Sequence, residues 1–235
     1  SKSKNPSDAL TYADHNQDGV VDLKTEMVFG PAYYAASFDK GGKTSYLHNI
    51  MGAFLDGRKV ITAADGEKLS DSERAQLIAY ASTISSNWEA VLAEATFKYA
   101  GSVYKDMAAI QKALDTGEDD SKATSNYYKH WGELKGFSLS LQMGKNNLGG
   151  VAARINRLIG YGPLMPNLSQ VIDIDSQGRY VKDQGSSWGE YMLHMLKVQK
   201  LMVDKFGVKA RNNDRISAMA DLSKSLGGGN SAEND

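Results

Sequence analysis

The 235 residues contain no cysteine. Disulfides, thiolate metal sites and cysteine nucleophiles are thereby excluded, while the compartment stays open, because many secreted bacterial proteins also lack cysteine. No apolar run approaches the roughly 20 residues that a membrane-spanning helix needs, so a transmembrane segment is not expected. Acids and bases nearly cancel, at a net charge of −1, and they are interspersed. There is no basic stripe to attract nucleic acid and no charged block to attract a strongly charged partner. A phosphate-binding glycine loop, a Gly-x-Ser-x-Gly elbow and a His-Glu-x-x-His zinc motif are all missing. No signal peptide is visible. The opening Ser1-Lys-Ser-Lys-Asn-Pro6 reads as a loop, either a processed end or a cut inside a longer precursor.

What is present is enough apolar residue, 41% of the chain, to build a sizeable core in one domain or in one domain with a small appendage. Helical spacing dominates. A short helix is expected over about Leu23–Phe38, and another over Thr44–Ala64 with Leu47, Ile50, Met51, Phe54 and Leu55 at intervals of three and four. Ser70, with Glu73 three residues later, fits a capping box. It opens a helix over Asp71–Ala95, and Gly101 is a candidate break or kink in its continuation to Leu114. Ser121–Met143, Val151–Ile159 and Ser187–Phe206 complete the helices. Gly160-Tyr-Gly-Pro-Leu-Met-Pro166 ends one of them. Gln170–Lys182 alternates around Ser176-Gln-Gly178, as a small β-hairpin does. The expected fold is mainly α: a helical bundle with an EF-hand-like calcium loop near the N-terminus and a small β-hairpin. It divides into a polar segment, 1–22, a helical domain, 23–210, and a flexible C-terminal tail, 211–235.

The loop Asp14-His-Asn-Gln-Asp-Gly-Val-Val-Asp22 carries the strongest chemical signal. A calcium loop of the EF-hand type offers side-chain oxygens at positions 1, 3 and 5, a glycine at 6, a backbone carbonyl at 7 and often a water-bridged oxygen at 9. Asp14, Asn16, Asp18, Gly19, Val20 and Asp22 fill those places. The tight turn at Gly19 lets the oxygens converge on a hard cation. Position 12, usually a bidentate acid, is Thr25, and Glu26 stands one residue beyond as the substitute. The competing reading is a solvated turn rich in Asp and Asn. Calcium outside the cell is near millimolar, so a weak site of this kind is filled there. Asp173-Ile-Asp-Ser-Gln-Gly178 resembles such a loop only in part and reads better as the hairpin turn.

The second informative stretch is Tyr127–Phe137. His130 and Glu133, three apart, share a helix face, which Phe137 and Leu141 continue towards the core. An imidazole and a carboxylate so placed can bind a transition metal or pass a proton; equally, they can be a buried histidine satisfied by a local acid. Glu190 and His194 form a second such pair on the last helix. If the two helices faced each other, His130, Glu133, Glu190 and His194 would make a four-donor metal site. His48, Arg58 and the three tryptophans, Trp88, Trp131 and Trp188, read as surface or packing residues.

His130-Trp-Gly-Glu-Leu-Lys-Gly-Phe137, with Ser138-Leu-Ser-Leu-Gln142 after it, resembles the second histidine motif of imelysin-like bacterial envelope proteins, and more closely an uncharacterised imelysin-related domain family. Ala53-Phe-Leu-Asp-Gly-Arg-Lys-Val-Ile61 is similar to that family's Ala-Phe-x-x-Gly-Arg helix, and Leu23–Gly30 after the acidic loop fits an insertion seen there. The resemblance spans about residues 10–210. It implies a helical protein of the periplasm, the outer membrane (as a lipoprotein) or the secreted space, associated with iron acquisition. Only His130 and Glu133 carry over from the family's Gly-x-His-x-x-Glu motif; Tyr128 stands where that motif has glycine. The family's earlier His-His-Trp-Asp-Glu segment is absent, which implies that the chain is the C-terminal half of a precursor whose N-terminal half is one possible partner, an envelope protein being another. The cofactors implied are calcium, and iron or zinc. The balance favours a non-catalytic metal-binding protein over a metal-dependent peptidase or hydrolase, with a calcium-stabilised interaction module as the third reading.

Overall fold

The computed structural model describes Asp18 and residues 30–144, 147–184 and 186–227. These residues form seven α-helices and one two-stranded antiparallel sheet. The chain divides into two compact units, 1–91 and 92–235. No helix among the described residues is long and apolar enough to cross a membrane.

The first unit contains α1 (Gly30–Asp39), α2 (Tyr46–Ala63) and the start of α3 (Asp71–Thr116). The carboxylate of Asp39, at the end of α1, accepts the backbone N–H groups of Tyr46 and Leu47 and the hydroxyl of Thr44, each at 2.8 Å. A remote acid thus satisfies the first free N–H groups of α2 and complements its positive end. Ser70 and Glu73 form the expected capping box at the head of α3: Ser70 N–H donates to Glu73 at 2.8 Å, and Glu73 N–H donates to Ser70 Oγ at 3.2 Å. The inward face of α2 differs from expectation. It is Tyr46, Ile50, Ala53 and Gly57, whereas Met51, Phe54 and Leu55 stay about half exposed. The smaller side of the helix is chosen because Gly57 brings its backbone close to Leu77 and Tyr80 of α3; an added Cβ there would already touch both at 3.6 Å.

The second unit begins inside α3. It continues with α4 (Ser121–Gln142), α5 (Gly150–Ile159), the hairpin β1 (Ser169–Ile174) and β2 (Tyr180–Gln184), α6 (Trp188–Phe206), a 3-10 turn (Ile216–Ala218) and α7 (Met219–Ser225). Its core is built from apolar stripes: Phe97, Val103, Met107 and Ile110 on α3, Tyr127, Leu134 and Leu141 on α4, Ile155 and Leu158 on α5, and Tyr191, Met195 and Met202 on α6. Two buried tyrosines tie the loop after α5 to this core. Tyr191 Oη accepts from Trp131 Nε1–H and donates to the carbonyl of Ile159, both at 2.7 Å, and Tyr127 Oη donates to the carbonyl of Leu164 at 2.8 Å. Burial pushes both phenols well above their ordinary range. Tyr191→Phe removes one acceptor and one donor inside the core, and it is expected to lower stability by about 1–3 kcal/mol in urea unfolding. An unchanged midpoint would mean that the hydroxyl carries no weight.

α6 starts with a capping box between Ser187 and Glu190 and ends at Gly207, whose φ of 61° supplies the left-handed cap. The hairpin turns where predicted. Gly178 has φ 76°, and Asp175 accepts N–H from Gln177 and Arg179 at 2.9 Å. Its carboxylate therefore closes a turn, in agreement with the hairpin reading of 173–178.

Two expectations about the chain's course are corrected. α3 is a single helix of 46 residues and Gly101 does not break it. Residues 208–225, the first part of them expected in the domain's end and the rest in a flexible tail, are folded onto the unit. The buried carboxylate of Glu94 accepts the N–H groups of Lys209, Ala210 and Arg211 at 2.6, 2.7 and 3.2 Å. Gln199 donates to the carbonyls of Phe97 and Asn213 and accepts from Arg215 N–H. Leu226 lies against Gly189 at the start of α6.

Candidate functional site

Of the residues assigned to calcium, Asp14, Asn16, Val20, Asp22 and Glu26 lie outside the described residues; Asp18 is exposed in a bend. The helix expected from Leu23 is described only from Gly30 onward.

The His130 face is fully described. α4 carries His130, Glu133 and Phe137, and α3 presents Lys98, Tyr99 and Asp106 to it. His130 Nδ1 lies 2.5 Å from Asp106 Oδ2. Tyr99 stacks on Phe137 with ring centres 5.7 Å apart and planes within 7°, and its ring centre is 5.8 Å from that of His130. The imidazole is thus fixed by a carboxylate and an aromatic pair. Its side chain remains 25% exposed against 10% for Asp106, so it can be reached from outside. Burial drives the Asp106 carboxyl above its ordinary range, and the hydrogen bond and charge of His130 pull it back. A carboxylate acceptor so placed favours the proton on Nδ1 and an unprotonated Nε2, the tautomer in which a histidine serves as metal ligand or proton acceptor.

Glu133 adds a second donor. Its Oε2 is buried and makes no hydrogen bond with any described residue. A carboxylate oxygen withdrawn from water without a partner is costly, and proteins keep such groups where something binds or where a neighbouring charge compensates. Here the neighbour is Lys98. Partial burial lowers the Lys98 ammonium below its usual range, the negative charge of Glu133 opposes that fall, and Lys129 adds to it. Lys98 Nζ also sits over the Tyr99 ring at 5.0 Å. Any cation binding Glu133 competes with this ammonium.

The four donors that would meet only if the two helices faced each other, His130, Glu133, Glu190 and His194, are not gathered among the described residues. Among the described residues no three histidine, aspartate or glutamate side chains gather closely enough to hold a metal. Glu190 is engaged by Ser187 in the cap of α6, and its hydrogen bonds hold its carboxyl below the ordinary range. His194 is buried on the same helix, edge-on to Tyr191 at 6.1 Å. His130 and Glu133 stand three residues apart on α4, and Asp106 contacts His130 alone.

Sequence reasoning missed Asp106 because it lies on another helix. A signal existed: Asp106 falls between Val103 and Ile110, three and four residues away, inside an apolar stripe where an unpaired acid would be expensive. A comparison of the chain with family models, with curated proteins and with solved structures finds no match.

Proposed function

We propose that this is a non-catalytic metal-binding protein of the bacterial envelope, in which His130 and Glu133 together bind one divalent transition-metal ion, iron or zinc, and the loop Asp14–Asp22 binds calcium. The transition-metal part rests on one observation: Asp106 orients His130 through Nδ1 while Glu133, one turn along, keeps a buried carboxylate oxygen without a hydrogen-bond partner. Asp106 then stands as the outer partner of a ligating histidine. Two protein donors leave most coordination positions to water or to a chelator, which suits capture of an ion delivered with its own ligands better than hydrolysis. The envelope setting and the link to iron supply rest on the imelysin resemblance, and the calcium loop rests on its sequence spacing.

Calorimetric titration with Fe²⁺, Zn²⁺ and Cu²⁺ tests this reading. One equivalent is expected to bind the wild type, His130→Ala should abolish binding, and Glu133→Gln should weaken it at least about tenfold, in line with losses seen at ligand and outer-partner positions. Lys98→Met, which removes the competing ammonium, should tighten it. Equal behaviour of wild type and His130→Ala would end the proposal. The calcium loop is read separately: a chelator should lower the melting temperature of the wild type and leave an Asp14→Asn, Asp18→Asn variant unmoved. Calcium at a hundredfold excess over Kd contributes about 2.7 kcal/mol to the native state.

A further inference from the structure

The two donors of α4 sit among ammonium groups. Lys129 adjoins His130 and stands one turn before Glu133, so it shares that side of the helix. On α3, Lys98 lies two turns before Asp106, the partner of His130, and Lys105 adjoins Asp106. Lys98 Nζ is 5.0 Å from the centre of the Tyr99 ring, and that ring is 5.8 Å from the imidazole. The charges of Glu133 and Lys129 act on the Lys98 ammonium, and those of His130 and Lys105 on Asp106. Lys105 and Lys129 are exposed and Lys98 is half-buried. Three ammonium groups thus stand around one histidine and two carboxylates, and one of those carboxylates already serves the histidine.

These charges decide which form of a metal the site can take. A bare dication binding Glu133 takes that carboxylate from Lys98 and then stands beside the ammonium it has displaced, where partial burial strengthens the repulsion. A chelated ion meets the opposite balance. A polycarboxylate chelator such as nitrilotriacetate gives its zinc complex a net negative charge, fills most of the metal's positions and leaves two adjacent ones open. Two side-chain donors one helical turn apart can supply those two. Lys98, on leaving Glu133, finds a carboxylate of the chelator, and the charges of Lys105 and Lys129 draw the anion in.

We propose that the His130 face takes its metal as an anionic polycarboxylate chelate, with His130 and Glu133 filling the open positions of the ion and Lys98 pairing with a carboxylate of the chelator. This rests on the His130 and Glu133 reading above and adds the chemical form of the ligand. The step is a plain exchange: the imidazole nitrogen and the carboxylate oxygen form bonds to the metal, two waters leave it, and no proton or electron moves. Lys98 therefore has two opposite roles, competitor of a bare ion and binding residue for a chelated one.

Equilibrium dialysis of the full chain, with zinc and chelator both measured, tests this. The probes are zinc alone, zinc nitrilotriacetate, nitrilotriacetate alone, and zinc in a chelator that fills every position, ethylenediaminetetraacetate. Zinc nitrilotriacetate should bind more tightly than zinc alone, with metal and chelator retained in equal amounts, and His130→Ala should abolish it. The other two probes should not be retained. Lys98→Met should weaken the chelate roughly tenfold while tightening zinc alone, and Lys129→Met, at an exposed position, should weaken the chelate about threefold, as added salt does. Zinc bound through His130 with its nitrilotriacetate complex rejected, or stripped of its chelator, overturns the proposal and leaves the metal site standing. Lys98→Met and Lys129→Met variants that bind the chelate as the wild type does also overturn it. So does equal retention of the saturated chelate, which would show attraction of an anion without coordination. A wild type that binds neither zinc nor its complexes overturns this proposal and the metal site together.

Discussion

Glu94→Ala is expected to destabilise the protein by about 3 kcal/mol or more, because it leaves one buried and two half-buried backbone donors without their acceptor and opens a void where the side chain stood. Glu94 is completely buried on α3. Its two oxygens gather the N–H groups of Lys209, Ala210 and Arg211, and the chain there adopts a left-handed conformation at Arg211, with φ of 52°. A β-carbon-bearing residue enters that region only under constraint, and the carboxylate supplies it. Glu94→Gln separates charge from shape. The amide keeps one acceptor oxygen and turns an NH₂ group towards a donor, so it should recover part of the loss but not all. Urea unfolding of the three proteins gives the ranking wild type, Gln, Ala. A loss below about 1 kcal/mol for the alanine variant would mean that water replaces the carboxylate. Because α3 also carries Tyr99 and Asp106, the metal titration of the alanine variant should weaken even though no ligand has changed.

The helices were legible in sequence because their apolar residues recur at three and four and their ends carry local chemistry: Ser70 with Glu73 in the first unit, and Gly160 after Ile159 in the second. The hairpin was legible for the same reason, with alternation on both sides of Gly178. Segments fixed by a distant side chain were not. Nothing in Lys209–Asp214 announces that it folds, since its hydrogen-bond acceptor lies 115–117 residues earlier. The start of α2 depends on Asp39 in the same way. Half of the candidate site was visible, because His130 and Glu133 lie on one helix and share a face by spacing alone. Asp106 and Lys98 became visible only when α3 and α4 packed. The four-donor arrangement failed on local grounds: Glu190 stands three residues after Ser187, and a capping box there satisfies an exposed carboxylate more readily than a search for a remote histidine. The capping signal was present in the sequence and outweighed the metal reading at that position.

Gly101→Ala should be at least as damaging as the loss of Glu94, at about 3 kcal/mol or beyond, and for a different reason. Alanine is the best helix former, and replacing a glycine in the middle of a helix ordinarily gains about 1 kcal/mol. Here a Cβ would stand 2.5 Å from the amide nitrogen of Gln199 and would overlap the carbonyl oxygen of Asn213 outright. Neither neighbour is a loose end. Gln199 is buried and its amide joins the carbonyls of Phe97 and Asn213, and Asn213 itself donates to Ser102 Oγ at 2.8 Å. Making room means displacing the backbone of residue 213 and breaking those bonds together, so the overlap cannot be relieved by one rotamer change. The glycine that reads in sequence as a weak point of the helix is thus a point of close approach between α3 and the segment after α6. Urea unfolding and hydrogen exchange should show the substitution lowering global stability, with the largest loss of protection at residues 209–215. A variant as stable as the wild type, or more so through its better helix propensity, would show that the segment can withdraw from α3 without cost, and that the buried contacts of Gln199 do not hold the two together.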